Sequence, residues 1–245
     1  MTCSVQSPWC VGVIAVAMLL GGPLADGGEP ARGPAVVELF TSEGCNSCPP
    51  AEAVLTALAT HRDVLTLGLH VTYWDGLGWR DRFGLPQADA RQRRYVASLG
   101  LAGAYTPQAV VNGRADVLGS DRDAIERLVR GLPRPAGIGV SRADRSATLE
   151  LPAIAAGGCP CDLLLLAVRP EAETAVGGRE NGGRTLRASS IVRSINQVGS
   201  WAGADEQRVV GMPALAPDVG SLVVLAQRSR DGAVMATGRL AIAAR

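Results

Sequence analysis

The sequence has few aromatic residues and almost no excess of charge of either sign. Phe, Trp and Tyr make up 4% of the 245 residues, so Leu, Val and Ala must fill the core. The formal net charge is +1, with acidic and basic residues interspersed. This balance gives no sign of nucleic-acid binding or of a strongly anionic partner. With 47% hydrophobic and 19% charged residues, the composition is that of a folded protein rather than a disordered one.

The chain also lacks an apolar run of membrane-spanning length near its start. Val11–Leu20 is almost unbroken and is followed by small residues up to Ala25, which is typical of a secretory signal peptide and its cleavage region. The usual positive charge before the run is missing. An uncleaved membrane anchor is the alternative, but a span normally needs about 18 apolar residues. We therefore predict that residues 1–25 are a signal peptide and that the mature protein is periplasmic or secreted, with no integral membrane span.

The cysteines fit an exported protein. Two of the six, Cys3 and Cys10, lie in the predicted signal peptide. The four that remain form two local pairs, Cys45 with Cys48 and Cys159 with Cys161. Such pairs can form disulfides in an oxidising compartment, so the predicted export and the cysteine spacing support each other.

The first half of the chain alternates strand and helix patterns. The apolar run Ala35–Phe40 predicts a buried strand, and apolar residues at helical spacing from Val54 predict a helix after it. Val64–Tyr73 predicts a second strand, which a helical crossover would place parallel to the first. The remaining predicted elements are a helix over 86–99, a hairpin turning at Asn112-Gly113 and a helix that starts near Ser120.

The second half of the chain shows strand patterns and no convincing amphipathic helix. A stretch rich in Pro and Gly, 133–139, predicts a linker between the halves. Beyond it the predicted strands are Ala147–Leu151, Asp162–Val168, Thr185–Ile195, Gln207–Val210, Ser221–Ala226 and Val234–Ile242. We therefore predict an α/β domain over residues 35–132 and an all-β sandwich over residues 137–245.

The Cys45-Asn-Ser-Cys48 motif falls between the first predicted strand and the first predicted helix. Unpaired N–H groups and the helix dipole favour a thiolate there. We expect an exposed Cys45 that attacks disulfides and a more buried Cys48 that resolves the mixed disulfide. Glu43 lies two residues before Cys45, where its charge would oppose the thiolate. The sequence therefore leaves open whether the pair oxidises, reduces or isomerises.

Two other functions use the same cysteines. A CxxC motif is half of many zinc sites, but the chain has no second CxxC and only two histidines, so we predict no metal site. A copper-binding or metallochaperone module stays open, because two thiolates suit monovalent copper. A noncatalytic interaction protein, in which Cys45 and Cys48 form a structural disulfide, is a further alternative that the sequence leaves open.

A Thr106-Pro107 dipeptide precedes the predicted hairpin. A strand, a CxxC at a helix start and a Thr-Pro before a hairpin together resemble the thioredoxin superfamily. This resemblance implies that Pro107 is cis and faces the cysteine pair, where it shapes a peptide-binding groove and keeps metals off the thiols. Thr106 and Pro107 are therefore predicted to bind substrate.

Four segments resemble, more narrowly, the DUF1223 family of secreted bacterial thioredoxin-like proteins: Glu38–Pro50, His70–Asp75, Tyr105–Gly113 and Gly178–Arg184. The resemblance spans both predicted domains. Together with the strand patterns of the second half, it supports an α/β thioredoxin-like N-terminal domain plus an all-β sandwich C-terminal domain. We expect a thiol-disulfide oxidoreductase that acts on protein thiols and disulfides and needs no organic cofactor. The family's role is poorly defined, so neither the substrate nor the oligomeric state follows.

His70 and Trp74 are predicted near the C-terminal end of the second strand, the edge of a parallel sheet where sites usually form. Trp74 is therefore predicted to line a substrate groove beside Cys45. The alternative is that Trp74 packs against its own loop and that His70 is an ordinary strand residue. Gln92 and Arg94 are expected to be solvated helix residues.

The Cys159-Pro-Cys161 segment is the second cysteine pair. A disulfide between residues two apart would be strained and comparatively easy to reduce, which would suit a second redox pair. Two isolated thiols in a strand or turn fit the segment equally well. We expect no electron relay to Cys45, because a sulfur buried in a β core provides no accessible thiolate.

Overall fold

The computed structural model describes residues 1–2, 31–155 and 158–242. The predicted signal peptide, apart from its first two residues, lies outside the described residues. Among the described helices, none has both the length and the apolar character needed to cross a membrane.

The first half of the chain begins with a strand-helix-strand unit. Strand β1 (Ala35–Thr41) runs parallel to β2 (Val64–His70), as predicted, and α1 (Cys48–Leu58) connects them. Pro49 and Pro50 lie in the first turn of α1, where a missing N–H leaves no helical hydrogen bond unmade. Every residue of β1 and β2 is buried, so this unit lies at the centre of the molecule.

A helix, a hairpin and a further helix follow. These elements are α2 (Pro86–Ser98), β3 (Gln108–Val111), β4 (Ala115–Leu118) and α3 (Arg122–Gly131). Strand β3 pairs antiparallel with both β1 and β4, which confirms the predicted hairpin. The turn of this β3–β4 hairpin requires glycine at position 113. There φ is +63°, and a Cβ would lie 2.1 Å from the Gly232 carbonyl oxygen. The N-cap of α3 is Asp121, one residue after Ser120, near which the helix was predicted to start.

The second half of the chain is built from strands and short connections. They are β5 (Ala136–Gly137), β6 (Gly139–Ala143), β7 (Ser146–Leu151), β8 (Cys161–Ala175), β9 (Thr185–Trp201), β10 (Glu206–Gly211), β11 (Ser221–Arg228) and β12 (Val234–Ala241). Strands β8 and β9 have 15 and 17 residues and extend well beyond their predicted ends. Strand β5 lies within the predicted linker and pairs with β12.

The predicted fold class, an α/β thioredoxin-like domain plus an all-β sandwich, is wrong. Nine strands from both halves form one curled mixed sheet in the order β4-β3-β1-β2-β9-β8-β11-β12-β5. Strands β10, β7 and β6 form a second, three-stranded sheet. The molecule is mostly β, with 42% strand against 19% helix. The domain ranges 35–132 and 137–245 stay predictions, and strands of both ranges share the large sheet.

Gly68 explains how the two halves join in one sheet. Strand β2 pairs with β9 in parallel, with Gly68 opposite Ile191. A Cβ at position 68 would lie only 2.9 Å from the carbonyl oxygen of Ser189, so a side chain here would force β9 away from β2. One hydrophobic core consequently contains residues of both halves, among them Phe40, Leu67, Leu166 and Val223.

A buried polar network also connects the halves. Arg91 on α2 forms a salt bridge with Glu38 on β1 and donates to Gln227 Oε1 on β11 at 2.8 Å. The Tyr95 hydroxyl donates to Glu38 at 2.6 Å. Removing one partner of a buried ion pair typically costs about 3–5 kcal/mol. This network therefore holds α2 firmly against the sheet.

Candidate functional site

The Cys45–Cys48 motif lies at the carboxyl end of β1, in the turn that leads into α1. Ser47 is the N-cap residue and Cys48 is the first residue of the helix. Both thiols are free, and each cysteine is only 1% exposed. The position at a helix start agrees with the sequence, but the expected difference in exposure between Cys45 and Cys48 is absent.

The two thiols differ in acidity instead. The pKa of Cys45 is lowered to about 6, first because the Cys48 thiol hydrogen-bonds to it; burial acts in the opposite direction. Hydroxyl groups of Ser47 and Thr106 lower the pKa further, and Ser47 Oγ lies 3.2 Å from Cys45 Sγ. The pKa of Cys48 is strongly raised, first by its hydrogen bond to Cys45 and then by burial. At neutral pH the site therefore holds a Cys45 thiolate and a Cys48 thiol.

Thr106 and Trp74, two of the three residues predicted to bind substrate, lie together beside Cys45. Trp74 Nε1 donates to Thr106 Oγ1 at 3.0 Å, and the same hydroxyl stabilises the Cys45 thiolate. The peptide between Thr106 and Pro107 is cis. Thr106 and Trp74 are thus linked to each other and, through Thr106, to the reactive sulfur.

Gln92 fixes the segment that precedes Thr106. Its side chain is fully buried, contrary to the expectation of a solvated residue. Gln92 Nε2 donates to the Tyr105 carbonyl oxygen at 2.8 Å and to Gln108 Oε1 at 2.9 Å. The polar pattern of α2 does not predict that Gln92 is buried, because the groups that accept its hydrogen bonds, on Tyr105 and Gln108, lie outside this helix.

His70, at the end of β2, is tied to the cysteine turn through Asp81. Its Nδ1 lies 2.7 Å from Asp81 Oδ2, and the same oxygen accepts the backbone N–H of Glu43 at 2.8 Å. Burial alone would lower the pKa of His70. The negative charges of Asp81, Glu52 and Glu43 outweigh this effect and raise the pKa to about 9. His70 is therefore an imidazolium at neutral pH rather than an ordinary strand residue.

The Glu43 carboxylate has a partner on the loop after β2. Its Oε2 accepts a hydrogen bond from Trp79 Nε1 at 2.9 Å. The largest causes of the lowered Cys45 pKa are its neighbours Cys48, Ser47 and Thr106, together with the opposing effect of burial.

The loop between β8 and β9 completes the site. A single 3₁₀ turn in it, Arg179–Asn181, places the fully buried Asn181 against the cysteine turn. Asn181 Nδ2 donates to the carbonyl oxygens of Glu43 at 2.9 Å and Cys45 at 2.8 Å. The segment Gly178–Arg184 figures in the sequence only through a family resemblance, and nothing in its pattern predicts these contacts.

Neighbours of Asn181 make two further contacts with the site. Glu180 Oε2 accepts the backbone N–H of Asn46, between the two cysteines, at 3.1 Å. The Arg179 guanidinium lies over the Trp74 ring, 5.3 Å from its centroid. The 3₁₀ turn therefore contacts both the CxxC turn and the predicted substrate groove.

A cavity of about 550 Å³ lies on the other side of the motif, between α1 and β9. Cys48, Glu52 and His70 contribute to its lining, and Cys45 does not. Among the described residues, no group of three or more His, Cys, Asp or Glu side chains is arranged to hold a metal ion.

Cys159 and Cys161 form a disulfide far from this site. Cys161 starts β8, whereas the loop that contacts Cys45 follows the other end of β8 at Ala175. Strand residues rise about 3.3 Å each, so the two ends of a 15-residue strand are separated by tens of ångströms. Cys159 and Cys161, which the sequence leaves open as a second redox pair, are therefore not brought to Cys45.

The fold and the site define a mostly β protein with a buried dithiol at the start of its first helix. The chain belongs to the family described as "Protein of unknown function (DUF1223)", whose family model matches residues 36–227. No functionally curated protein matches the chain.

Two solved structures are similar to this one. The X-ray crystal structure of protein AGR_C_4864 from Agrobacterium tumefaciens shares 28% sequence identity, with a TM-score of 0.73 over 89% of this chain and 97% of that chain. HBP35 of Porphyromonas gingivalis shares 14% identity, with a TM-score of 0.59 over 86% of this chain and 76% of that chain. The second likeness concerns the fold alone.

Proposed function

We propose that the protein is an exported thiol-disulfide oxidoreductase that uses Cys45 and Cys48 on protein substrates. One observation carries this proposal: two free thiols lie together at a helix start, and the pKa of Cys45 is lowered to about 6 while that of Cys48 is raised. A low-pKa thiolate beside a second thiol is the arrangement that attacks a disulfide and then resolves the product.

In the reducing direction, the Cys45 thiolate attacks one sulfur of a substrate disulfide. The substrate disulfide breaks, a bond forms between Cys45 and the substrate, and the other substrate sulfur leaves as a thiolate. Cys48 then passes its proton to that substrate thiolate and attacks the Cys45 sulfur, which releases the second substrate sulfur as a thiolate. The products are a Cys45–Cys48 disulfide and a reduced substrate, and the reverse sequence oxidises a dithiol.

Thr106, Pro107 and Trp74 form the proposed substrate groove. Thr106 stabilises the Cys45 thiolate and accepts a hydrogen bond from Trp74, so both lie where a substrate sulfur must approach. Because Cys45 is only 1% exposed, a protein substrate reaches it after a local opening of the surrounding loops.

Export is part of the proposal. It rests on the apolar run and small residues of the first 25 residues, which are typical of a signal peptide. The Cys159–Cys161 disulfide also suits an oxidising compartment.

Thiol titration in glutathione buffers of graded potential tests this function. We expect a reversible transition of two thiols per molecule that the Cys45→Ser variant lacks. A Cys45–Cys48 pair that stays oxidised in every reducing buffer would contradict the proposal and favour a structural disulfide. Stoichiometric copper in the purified protein, held by Cys45 and Cys48, would instead favour a metallochaperone.

A further inference from the structure

The cavity between α1 and β9 gives access to the motif from the side of Cys48. Its volume of about 550 Å³ is within the range of about 300–1,000 Å³ that is typical of small-molecule sites. Pro49, Ala53 and Ala57 on α1 and Leu186 and Ala188 on β9 provide apolar walls. The substrate groove at Thr106 and Trp74 lies beside Cys45, so the two sulfurs of the motif have different surroundings.

Two buried polar groups line the cavity. Among the described residues, Nε2 of His70 has no hydrogen-bond partner, and the Glu52 carboxyl group makes no close hydrogen bond, although Thr41 and the backbone of Ser189 lie near enough to lower its pKa. Glu52 is 7% exposed and His70 is 2% exposed, and Glu52 Oε1 lies 3.9 Å from His70 Nε2. Buried polar groups are rarely left unsatisfied, so this pair indicates a site for a polar ligand.

We propose that this cavity binds a low-molecular-weight thiol, which reduces the Cys45–Cys48 disulfide by attacking Cys48. The inference rests on the proposed function and names the small-molecule reductant of that dithiol. Protein substrates would use Cys45 on one side of the motif, and the small thiol would use Cys48 on the other.

The chemistry of the two sulfurs favours this direction of attack. Attack on Cys48 makes Cys45 the leaving group, and a thiol of low pKa leaves faster than one of high pKa. Attack on Cys45 would instead expel Cys48, whose pKa is strongly raised. Burial raises the pKa of Glu52, so its carboxylate is a stronger base than an exposed one and can accept the proton of the incoming thiol.

The step balances as follows. The small thiol transfers its proton to Glu52, its sulfur bonds to Cys48, and the Cys45–Cys48 bond breaks with its electron pair on Cys45. A second molecule of small thiol, as its thiolate, then attacks the small-molecule sulfur of the mixed disulfide. Glu52 returns its proton to Cys48, which leaves as a thiol, and the small-molecule disulfide is released. Two thiols are oxidised and one protein disulfide is reduced.

The first test isolates Cys48. The Cys45→Ala variant is incubated with glutathione disulfide, and the mixed disulfide on Cys48 is quantified by mass spectrometry. We expect stoichiometric modification of Cys48, because the cavity admits the small molecule. An unmodified Cys48, in a variant whose circular dichroism is native, would overturn the proposal.

The second test blocks the cavity. Ala53→Phe narrows it, whereas Ala59→Phe places the same side chain just after α1 at a position that does not line it. Reduction of the oxidised chain by glutathione is expected to slow about tenfold in Ala53→Phe and in Glu52→Gln, in line with the loss of access or of a general base. Equal rates in Ala53→Phe and Ala59→Phe would contradict the cavity route.

Exchange of the wild-type chain with insulin disulfides separates the two proposals. If the chain reduces insulin and Cys48 fails to react with glutathione disulfide, the cavity proposal fails and the proposed function stands. If the chain exchanges with neither, the proposed function fails, and this inference fails with it.

Discussion

The side-chain amide of Asn181 donates a hydrogen bond of 2.8 Å to the backbone carbonyl oxygen of Cys45, although the two residues lie 136 positions apart in the chain. The same amide holds the Glu43 carbonyl oxygen. Asn181 is fully buried, so these bonds form away from water and fix the turn that carries the reactive thiol. The strand-rich second half of the chain is therefore part of the site.

Replacing Asn181 by Ala is expected to loosen that turn. The free energy of unfolding should fall by about 1–3 kcal/mol, because two buried carbonyl groups lose their donor. Alkylation of Cys45 in the reduced protein should also become faster. Asn196→Ala is the matched control, since Asn196 is half-buried and its side chain donates to Ser194 Oγ, two residues away, rather than to the cysteine turn. An Asn181→Ala variant with unchanged stability and unchanged Cys45 alkylation would contradict this role.

The acidity of Cys45 should depend on Cys48. In the reduced wild type, the thiolate absorbance of Cys45 should show a midpoint near pH 6, because its pKa is lowered to about 6. Cys48→Ala removes the largest cause and should move the midpoint upward, toward the ordinary value of 9. Cys48→Ser keeps a donor and should move it less. Equal midpoints in Cys48→Ala and the wild type would refute this origin of the low pKa.

The charge of His70 should make stability depend on pH. Its folded-state pKa of about 9 exceeds the ordinary 6.5, so the folded chain binds the extra proton. The resulting stabilisation is complete below about pH 6.5 and is lost as the pH rises to about 9. Linkage gives a total of about 3 kcal/mol.

Urea unfolding between pH 6 and 10 measures this loss. His70→Gln should remove the part of the pH dependence that His70 causes. His61→Gln should retain it, because His61 is the exposed second histidine of the chain. A difference in unfolding free energy between the wild type and His70→Gln that does not fall as the pH rises across this window would contradict the imidazolium assignment.

The Cys159–Cys161 disulfide should not exchange electrons with Cys45. It lies at the start of β8, while Cys45 is contacted by the loop after the end of β8. Replacing both cysteines by Ser should leave the turnover of Cys45 within a few-fold of the wild type. A loss approaching that of Cys45→Ser, with native circular dichroism, would show that the second pair is a relay.

Local patterns in the sequence predicted most elements but not their assembly. Alternation and turn signals predicted β1, β2 and the β3–β4 hairpin, because these depend on residues close in sequence. The pairing of β2 with β9 depends on the missing side chain of Gly68, and a single glycine within a strand pattern does not reveal its partner. The prediction of two separate folds was wrong because it missed this pairing, which places strands of both halves in one sheet.

The site was predictable to a similar extent. The spacing of Cys45 and Cys48 after a strand, together with the resemblance at Thr106-Pro107, predicted residues that the fold brings together. Asp81 and Asn181 were missed, because an Asp in a loop and an Asn in a Gly-rich turn are ordinary surface residues by sequence. Only their tertiary contacts with the cysteine turn distinguish them.

Trapping of mixed disulfides tests the central claim most directly. Reduced Cys48→Ser and Cys45→Ser variants are incubated with an oxidised protein substrate and resolved on non-reducing gels. Cys48→Ser should accumulate a covalent complex through Cys45, because the resolving sulfur is absent, and Cys45→Ser should form none. Equal complex formation by both variants, or none by either, would contradict the assignment of Cys45 as the attacking thiolate and Cys48 as the resolving thiol.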